Sequence, residues 1–238
     1  MNEAPTPTGD AGGGTWAILV AAGSGARLGG DRPKAFAALA GRPLLAESLE
    51  RLDGSDWIDA IVVAAPPEWE EPAILLAEEL VASKVSSVVT GGATRAESVR
   101  NALAEVPEEA LVILVHDAAR PLVDDAVIER LLGRLDGTVE GVVPGIEVRD
   151  TVKRVERGVV AETVARDGLV AVQTPQAFLA DQLRTAFWGD LDDATDCASL
   201  VERHGGRVAV VEGDPRLVKV TTVGDLEQVE SLLGGDEE

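Results

Sequence analysis

Short apolar runs alternate with amphipathic stretches along most of the chain. Four of these runs are typical of strands, and they read "WAILVAA", "DAIVVAA", "KVSSVVT" and "LVILVHD". In the stretches that follow them, apolar residues recur every three or four positions, as on one face of an α-helix. In the stretch that begins at Asp124 this face comprises Val127, Ile128, Leu131, Leu132 and Leu135. Continuous apolar strands separated by such helices predict a mostly parallel sheet covered on both faces.

The pattern changes after Val143. Residues 144–173 show period-two alternation, several charges and little helical periodicity, which indicates a β-hairpin excursion from the sheet. We therefore expect a single α/β domain at residues 15–233 with a three-layer, Rossmann-like fold and a projecting β-arm at about 144–173. Residues 1–14, rich in proline, threonine and glycine, and the acidic residues 234–238 are predicted to be disordered tails.

The charge balance narrows the classes of partner. The chain has 21 Lys and Arg against 42 Asp and Glu, a formal net charge of −21. So acidic a protein is a poor candidate for binding nucleic acid or anionic lipid. No apolar run approaches the ~18 residues of a membrane span, and the first residues lack the basic start and apolar core of a signal peptide. We expect a cytoplasmic protein with neither nucleic acid nor membrane as a partner.

The few cysteines and histidines limit the metal chemistry. A single cysteine, Cys197, cannot form an intrachain disulfide, and with only His116 and His204 a Cys/His zinc cluster is implausible. Any metal should be held by carboxylate oxygens and phosphates, which favours Mg²⁺. An isolated histidine is more often a hydrogen-bonded structural residue than a ligand, so none of these three residues enters the predicted site.

The carboxyl ends of the predicted strands carry the candidate chemistry. They read "AAGSGAR", "AAPPE", "TGGATR" and "VHDAARP", and three of the four contain an arginine together with glycine or an acid. Ligands of parallel sheets bind beyond these ends. Glycine lets the backbone bend tightly and approach a ligand, and Arg and Lys suit a phosphate chain. Cations gathered here, in so acidic a chain, predict an anion site.

The first of these turns, "AAGSGARLGGDRPK" at 21–34, allows several interpretations. A dinucleotide fingerprint should read G-x-G-x-x-G, and here the third glycine is displaced by one position. The segment also lacks the G-K-[ST] ending of a P-loop, and a merely flexible turn would not require Arg27 and Lys34. It resembles instead the A-A-G-x-G-x-R…P-K signature of sugar-nucleotide-type nucleotidyltransferases, which implies a turn that wraps a nucleoside triphosphate. The matching residues are Ala21, Ala22, Gly23, Gly25, Arg27, Pro33 and Lys34.

Six further motifs follow in order. They are "GGATRAESV", "VHDAARP", "RDTVKRV", "TVARDGLVAVQTPQAF", "ATDCASLVE" and "VKVTTVGDL". Together with the first turn they resemble the 2-C-methyl-D-erythritol 4-phosphate cytidylyltransferase family over about residues 16–233. The resemblance implies a nucleotidyltransferase fold and a homodimer formed through the arm. It also implies a reaction of the non-mevalonate isoprenoid pathway, in which the phosphate of methylerythritol phosphate attacks the α-phosphorus of CTP and pyrophosphate leaves.

This reaction brings negative groups together, so positioning and cations should dominate catalysis. The resemblance assigns Arg27, Lys34 and Lys219 to the α-phosphoryl group and the leaving pyrophosphate. Asp117 ends an apolar strand at the binding edge, so it is well placed to hold Mg²⁺ beside the phosphates of CTP. An aspartate that caps a helix or a turn is the competing interpretation.

Two further groups of residues match the substrate contacts of the family. For CTP they are Gly91, Gly92 and Ser98 near the cytosine, with backbone groups of Ala21 and Ala22 and the glycines Gly23 and Gly25. For methylerythritol phosphate they are Arg166, Thr174, Thr195 and Lys219, and the resemblance implies that Arg166 crosses to a partner subunit. Asp196 either binds substrate hydroxyls or caps the helix that begins "CASLVE".

Three other functions stay open at this point. The nearest is a cytidylyltransferase for another polyol phosphate, such as ribitol 5-phosphate, since the distinction lies mainly in residues 149–196. A nicotinamide-dependent oxidoreductase and a non-catalytic nucleotide-binding regulator are more remote.

Overall fold

The computed structural model describes residues 13–23, 25, 28 and 32–234 of the chain. Most of the predicted tails, and the candidate catalytic residue Arg27, lie outside the described residues. Of the predicted tails, residues 13–14 form a bend before the first strand, and Gly234 is the last residue of a helix.

Strands and helices alternate through the described part of the chain as the hydrophobic pattern predicts. The strands are β1 (Thr15–Val20), β2 (Ala38–Leu39), β3 (Arg42–Pro43), β4 (Ala60–Ala65), β5 (Val85–Thr90), β6 (Val112–Asp117), β7 (Gly141–Glu147), β8 (Val152–Glu156), β9 (Val159–Val164), β10 (Val170–Val172), β11 (Gln176–Leu179) and β12 (Val208–Glu212). The helices are α1 (Leu44–Asp53), α2 (Glu70–Glu79), α3 (Arg95–Leu103), α4 (Asp125–Arg134), α5 (Ala180–Phe187), α6 (Cys197–Arg203) and α7 (Val223–Gly234), with a short 3₁₀ helix at Lys34–Phe36.

The main sheet is mostly parallel. β1 lies between β4 and β6, and β5 pairs with the far side of β4, all in parallel. β11 runs antiparallel between β6 and β7, while β12 pairs in parallel with β7 and β10 antiparallel with it. The carboxyl ends of β1, β4, β5 and β6 therefore meet at one edge of the sheet, as expected. The predicted fold class, α/β with a mostly parallel sheet, is confirmed.

Each face of the sheet is covered by its own layer of helices. On β1 successive residues point to opposite faces: Leu19 belongs to an apolar cluster with α1, α2 and α4, and Ile18 to one with α3, α5 and α6. Both side chains are fully buried. This explains why β1 is apolar at consecutive positions, and it confirms the predicted three layers. None of the helices in the described ranges is both long enough and apolar enough to cross a membrane.

The arm is a separate two-stranded antiparallel sheet of β8 and β9. Its valines Val155, Val159 and Val160 are each more than half exposed. β7 and β10, at the two ends of the predicted arm, pair with each other within the main sheet, so only residues 148–169 leave it. A period of two is common to a strand within the sheet and to a projecting hairpin, so the sequence pattern could not separate the two.

Candidate active site

A cavity of about 350 Å³ opens at the carboxyl edge of β1 and β6. This volume lies at the lower end of the range for small-molecule sites. Four loops meet around it: those that follow β1, β5 and β6, and the segment before α7. The lining residues are Val20, Ala21, Ala22, Gly23, Lys34, Ala35, Gly92, Ala93, Thr94, Arg95, Ser98, Asp117, Ala118, Ala119 and Lys219.

The turn after β1 folds back so that Lys34 lies beside the strand end. The Lys34 N–H donates to the Gly23 carbonyl at 3.2 Å. Gly25 has φ +70°, and a Cβ there would come within 2.8 Å of the Lys34 backbone nitrogen. Only glycine therefore allows the chain at Gly25 to lie this close to Lys34. The Lys34 ammonium donates to the Val220 carbonyl at 3.1 Å, which links the turn to the segment before α7.

The loop after β5 lies against the loop after β1. The Gly91 N–H donates to the Ala65 carbonyl at 2.7 Å. A Cβ on Gly91 would come within 2.2 Å of the Ala22 Cβ, so this approach requires glycine. The contact places the predicted cytosine-binding loop next to the predicted triphosphate-binding turn.

Ser98 is buried at the floor of this loop. Its hydroxyl donates to the Thr94 carbonyl at 2.9 Å and accepts from the Gly92 N–H at 3.0 Å. A hydroxyl has one hydrogen and two lone pairs, so one lone pair remains for a ligand. Because the hydrogen is already engaged, Ser98 in this arrangement can accept from an amine but cannot donate to a carbonyl.

Helix caps fix the two helices that begin at this edge. At α3, Thr94 and Glu97 form a capping box, in which each side chain accepts the other residue's backbone N–H. At α6, the Asp196 carboxylate accepts the Ser199 N–H at 2.9 Å. The capping interpretation of Asp196 is therefore confirmed.

Asp117, the last residue of β6, has its carboxylate between two cations. One oxygen accepts from Arg95 Nε at 2.8 Å and the other from Lys219 Nζ at 2.7 Å. Burial alone would raise the pKa of this carboxyl, but the charges and hydrogen bonds of Arg95 and Lys219 outweigh it and hold the pKa well below its usual range. Asp117 is thus ionised at neutral pH and joins β6 to α3 and to the segment before α7.

A buried hydrogen-bond chain supports the Asp117 backbone. The Asp117 N–H donates to Thr174 Oγ at 3.1 Å, and Thr174 Oγ lies 3.2 Å from His116 Nδ1. His116 Nε2 lies 3.0 Å from the Arg120 carbonyl, which can only accept. Nε2 therefore carries the hydrogen and Nδ1 accepts from Thr174, an assignment inferred from the network. Burial lowers the pKa of His116 to about 4, so the ring is neutral.

Three of the predicted acceptor-binding residues lie away from the cavity wall within one chain. Thr174 stands behind Asp117, with its hydroxyl engaged by Asp117 and His116. Thr195 is exposed in the loop before α6. Arg166 is exposed between β9 and β10 and donates to the Arg149 carbonyl. The cavity wall does include Lys34, Lys219, Asp117 and most of the residues predicted for CTP.

Sequence reasoning missed Arg95 and two buried glutamines. Gln173 pairs through its side-chain amide with both backbone groups of Asp214, at 2.7 and 3.0 Å. Gln176 donates to the Asp196 carboxylate at 2.8 Å and accepts the Cys197 N–H at 3.3 Å. Their signal in the sequence is two amides in "QTPQ" beside an apolar strand, but their partners are distant in the chain and could not be read from it.

The cavity wall is cationic although the chain is strongly acidic. It contains Lys34, Arg95 and Lys219 against one carboxylate, Asp117, a formal charge of +2. No group of three or more His, Cys, Asp or Glu in the described residues could hold a metal. Each Asp117 oxygen accepts one hydrogen bond and keeps a lone pair. Since Mg²⁺ is commonly held by one carboxylate together with substrate phosphates, these residues fit a metal that enters with a phosphate ligand.

A mostly parallel sheet with a glycine-rich, cationic cavity at its carboxyl edge is typical of nucleotide-binding α/β proteins. Residues 15–235 match the family model described as IspD, 2-C-methyl-D-erythritol 4-phosphate cytidylyltransferase. The chain belongs to this family. The family resemblance on which the sequence analysis relied is therefore confirmed.

Individual relatives agree with this assignment. A 2-C-methyl-D-erythritol 4-phosphate cytidylyltransferase of Nocardia farcinica is 46% identical over 98% of this chain and 97% of its own length. One of Saccharopolyspora erythraea is 44% identical over 91% of this chain and 98% of its own. The crystal structure of the Thermus thermophilus enzyme of the same name matches with a TM-score of 0.74 at 32% identity, over 91% of this chain and 97% of that one.

The ion pairs of Asp117 predict a specific loss of stability in acid. A carboxyl whose pKa is depressed in the folded state stabilises the fold above its usual pKa of about 3.9, and this contribution is lost as the pH falls below it. Asp117→Asn should therefore lower the free energy of unfolding by about 3 kcal/mol at pH 7, since it leaves Arg95 and Lys219 unpaired. The difference from wild type should begin to shrink near pH 5 and should go on shrinking below pH 3, because the folded-state pKa lies well below the usual value.

Urea denaturation across this pH range measures the difference. Asp167→Asn, an exposed arm residue, is the matched control and should follow wild type throughout. A difference between Asp117→Asn and wild type that does not change with pH would contradict the ion-pair account.

Proposed function

We propose that this chain transfers the cytidylyl group of CTP to 2-C-methyl-D-erythritol 4-phosphate, with release of pyrophosphate, and that the cavity at the end of β1 and β6 is where it does so. The observation that supports placing the reaction in this cavity is the positive charge of its wall. That charge stands out because the chain as a whole is acidic, and the cavity is formed by glycine-rich loops of a nucleotidyltransferase fold. Membership of the family supplies the reaction and its substrates.

The cations of the cavity suit the charge changes of this reaction. An oxygen of the acceptor phosphate forms a bond to the α-phosphorus, and the bond from that phosphorus to the bridging oxygen breaks, so the electron pair leaves on pyrophosphate. Negative charge therefore accumulates on the leaving group. Lys34 and Lys219 both line the cavity and would stabilise that charge, together with Arg27 of the first turn. Their positions are fixed beforehand by the Val220 carbonyl and Asp117.

The loop after β5 is proposed to hold the cytosine. Gly92 lines the cavity, and Gly91 lets this loop lie close against Ala22. Ser98 Oγ has a lone pair to accept from the exocyclic amine of cytosine. Ala21 and Ala22 line the same cavity from the adjacent loop after β1. A uracil carbonyl would offer Ser98 only an acceptor, so the arrangement favours CTP over UTP.

Asp117 is proposed to hold Mg²⁺ together with the phosphates of CTP. When bound, the ion would neutralise phosphate charge and orient the triphosphate. The carboxylate is ionised and keeps one lone pair on each oxygen, so it can bind the metal while Arg95 and Lys219 remain close.

The cellular location is proposed to be the cytoplasm. The single cysteine is buried and forms no disulfide, which agrees with a reducing compartment.

A homodimer through the arm is proposed on the exposed apolar surface of β8 and β9. Exposed strand edges and valines on a projecting hairpin favour pairing with a second copy. In such a dimer Arg166, which lies outside its own cavity, would reach the partner's acceptor site. This accounts for a phosphate-binding arginine so far from the cavity of its own chain.

The function is tested by pyrophosphate release from CTP with a panel of polyol phosphates. We expect turnover with methylerythritol phosphate, little with ribitol 5-phosphate, and much less with ATP, GTP or UTP in place of CTP. Identification of the nucleotide product by mass spectrometry confirms that a cytidylyl group has moved. Preference for ribitol 5-phosphate, or equal use of a purine triphosphate, would contradict the proposal.

Removal of the Lys34 charge should act mainly on the chemical step. Loss of one preorganised donor costs about 10²–10³-fold in kcat, so Lys34→Met should lower kcat by that amount while KM for CTP changes less. Lys84→Met is the control and should retain wild-type kcat, because the Lys84 ammonium bonds the Ser55 carbonyl and does not line the cavity. A Lys34 variant with unchanged kcat would remove this residue from the catalytic set.

Mixed dimers test whether Arg166 serves the partner's site. Arg166→Ala and Lys34→Ala subunits should each be nearly inactive alone. In a heterodimer one site carries both defects and the other carries neither, so activity should return to about half of wild type per heterodimer if the two sites are independent. Subunit exchange is verified by native mass spectrometry. Confirmed exchange without recovery would show that Arg166 does not act across the dimer.

A further inference from the structure

Arg95 contacts two elements besides its own helix at the edge of the cavity. It is the first residue of α3, and its Nε donates to the Asp117 carboxylate at the end of β6 at 2.8 Å. Its Nη1 donates to the Sγ of Cys197, the first residue of α6, at 3.3 Å. The Cys197 N–H is held in turn by Gln176 at 3.3 Å. One guanidinium thus joins the end of β6 to the start of α6.

The geometry of this contact requires arginine. A guanidinium is planar, with its donors in a fixed fork, so binding at Nε and Nη1 fixes the whole group. A lysine ammonium is a single point charge and cannot reach Asp117 and Cys197 in the same way. Cys197 is fully buried and its thiol pKa is raised by burial, so at neutral pH the sulfur is an uncharged acceptor rather than a second anion.

Arg95 and Lys219 hold different oxygens of one carboxylate. Since Asp117 is buried at a strand end, its orientation depends on both cations, and the position of the Lys219 ammonium depends on that orientation. The other charged or titratable groups around Asp117 are neutral His116, Arg120 in the turn after β6, Cys197 on α6, and Lys34 in the same cavity wall. The side chain of Arg95 is 24% exposed against 41% for Lys219, so Arg95 is the more enclosed of the two partners.

We propose that Arg95 is a positioning residue that orients the Asp117 carboxylate, and through it Lys219, while anchoring the start of α6. This inference rests on the proposed function, because it assigns Lys219 to the reacting phosphates. The loop before α6 carries Thr195, which is expected on the acceptor side. Arg95 would therefore fix the position of the CTP side of the cavity relative to the acceptor side.

Truncation of Arg95 should lower kcat by about 10- to 100-fold, as expected when a reacting group is displaced by about 1 Å. The KM for CTP should change less than kcat. Millimolar guanidinium should restore part of the kcat of Arg95→Ala, while methylammonium, which lacks the fork, should restore little. Arg100→Ala is the matched control: Arg100 lies on the same helix but bonds the Phe187 and Gly189 carbonyls, so its variant should keep wild-type kcat and show no rescue.

A second measurement does not depend on turnover. Crystal structures of wild type and of Arg95→Ala compare the position of the Asp117 carboxylate directly. In Arg95→Ala we expect this carboxylate to turn away from its wild-type orientation and the Lys219 ammonium to move with it, because Arg95 no longer holds the first oxygen. Arg95→Lys, which keeps the charge and serves if Arg95→Ala does not fold, should show a smaller displacement and an intermediate kcat.

The outcomes separate this inference from the proposed function. If wild type releases no pyrophosphate from CTP and methylerythritol phosphate, the proposed function fails, whereas the structures still test the contact between Arg95 and Asp117. A raised KM for CTP with unchanged kcat, together with Asp117 and Lys219 in their wild-type positions, would overturn the inference and make Arg95 a phosphate ligand. Wild-type kcat in Arg95→Lys would also overturn it, since the fork geometry would then be unnecessary.

Discussion

The buried carboxylate of Asp117 determines how the cavity is assembled. A charge removed from water is tolerated only when it is paired and hydrogen-bonded, and Arg95 and Lys219 meet this requirement from separate parts of the chain. Satisfying one anion thus draws the start of α3 and the segment before α7 to the end of β6. Together with Lys34, which also lines the cavity, the same pairing leaves the cavity with a net positive charge, which a triphosphate requires.

A second network behind the cavity connects the root of the arm to the backbone of Asp117. The segment "QTPQ" follows β10, and three of its side chains bond to different parts of the site. Gln173 holds the backbone of Asp214, Thr174 accepts the Asp117 N–H, and Gln176 binds the start of α6. The chain that returns from the arm is therefore bonded to the end of β6, to the loop at Asp214 and to the start of α6. These contacts join the root of the arm to the strand end that carries Asp117.

The sequence predicted the elements and the location of the site, but not its internal contacts. Apolar periodicity was sufficient for β1, β4, β5 and β6 because buried parallel strands are apolar at consecutive positions. It failed at the ends of the arm, where β7 and β10 share a period of two with the hairpin. Arg95 was missed because its partners lie 22 and 102 residues away in the chain. The hydroxyl of Thr174 could not be assigned either, since only the fold places it behind Asp117.

The central claim is that the cationic cavity beside Asp117 binds the triphosphate of CTP. A crystal structure of the protein with CTP and Mg²⁺ tests it most directly. The account predicts phosphate oxygens within hydrogen-bonding distance of the Lys34 and Lys219 ammonium groups, and the cytosine against Gly91, Gly92 and Ser98. CTP bound elsewhere on the protein, or in this cavity with its triphosphate directed away from both lysines, would contradict the account.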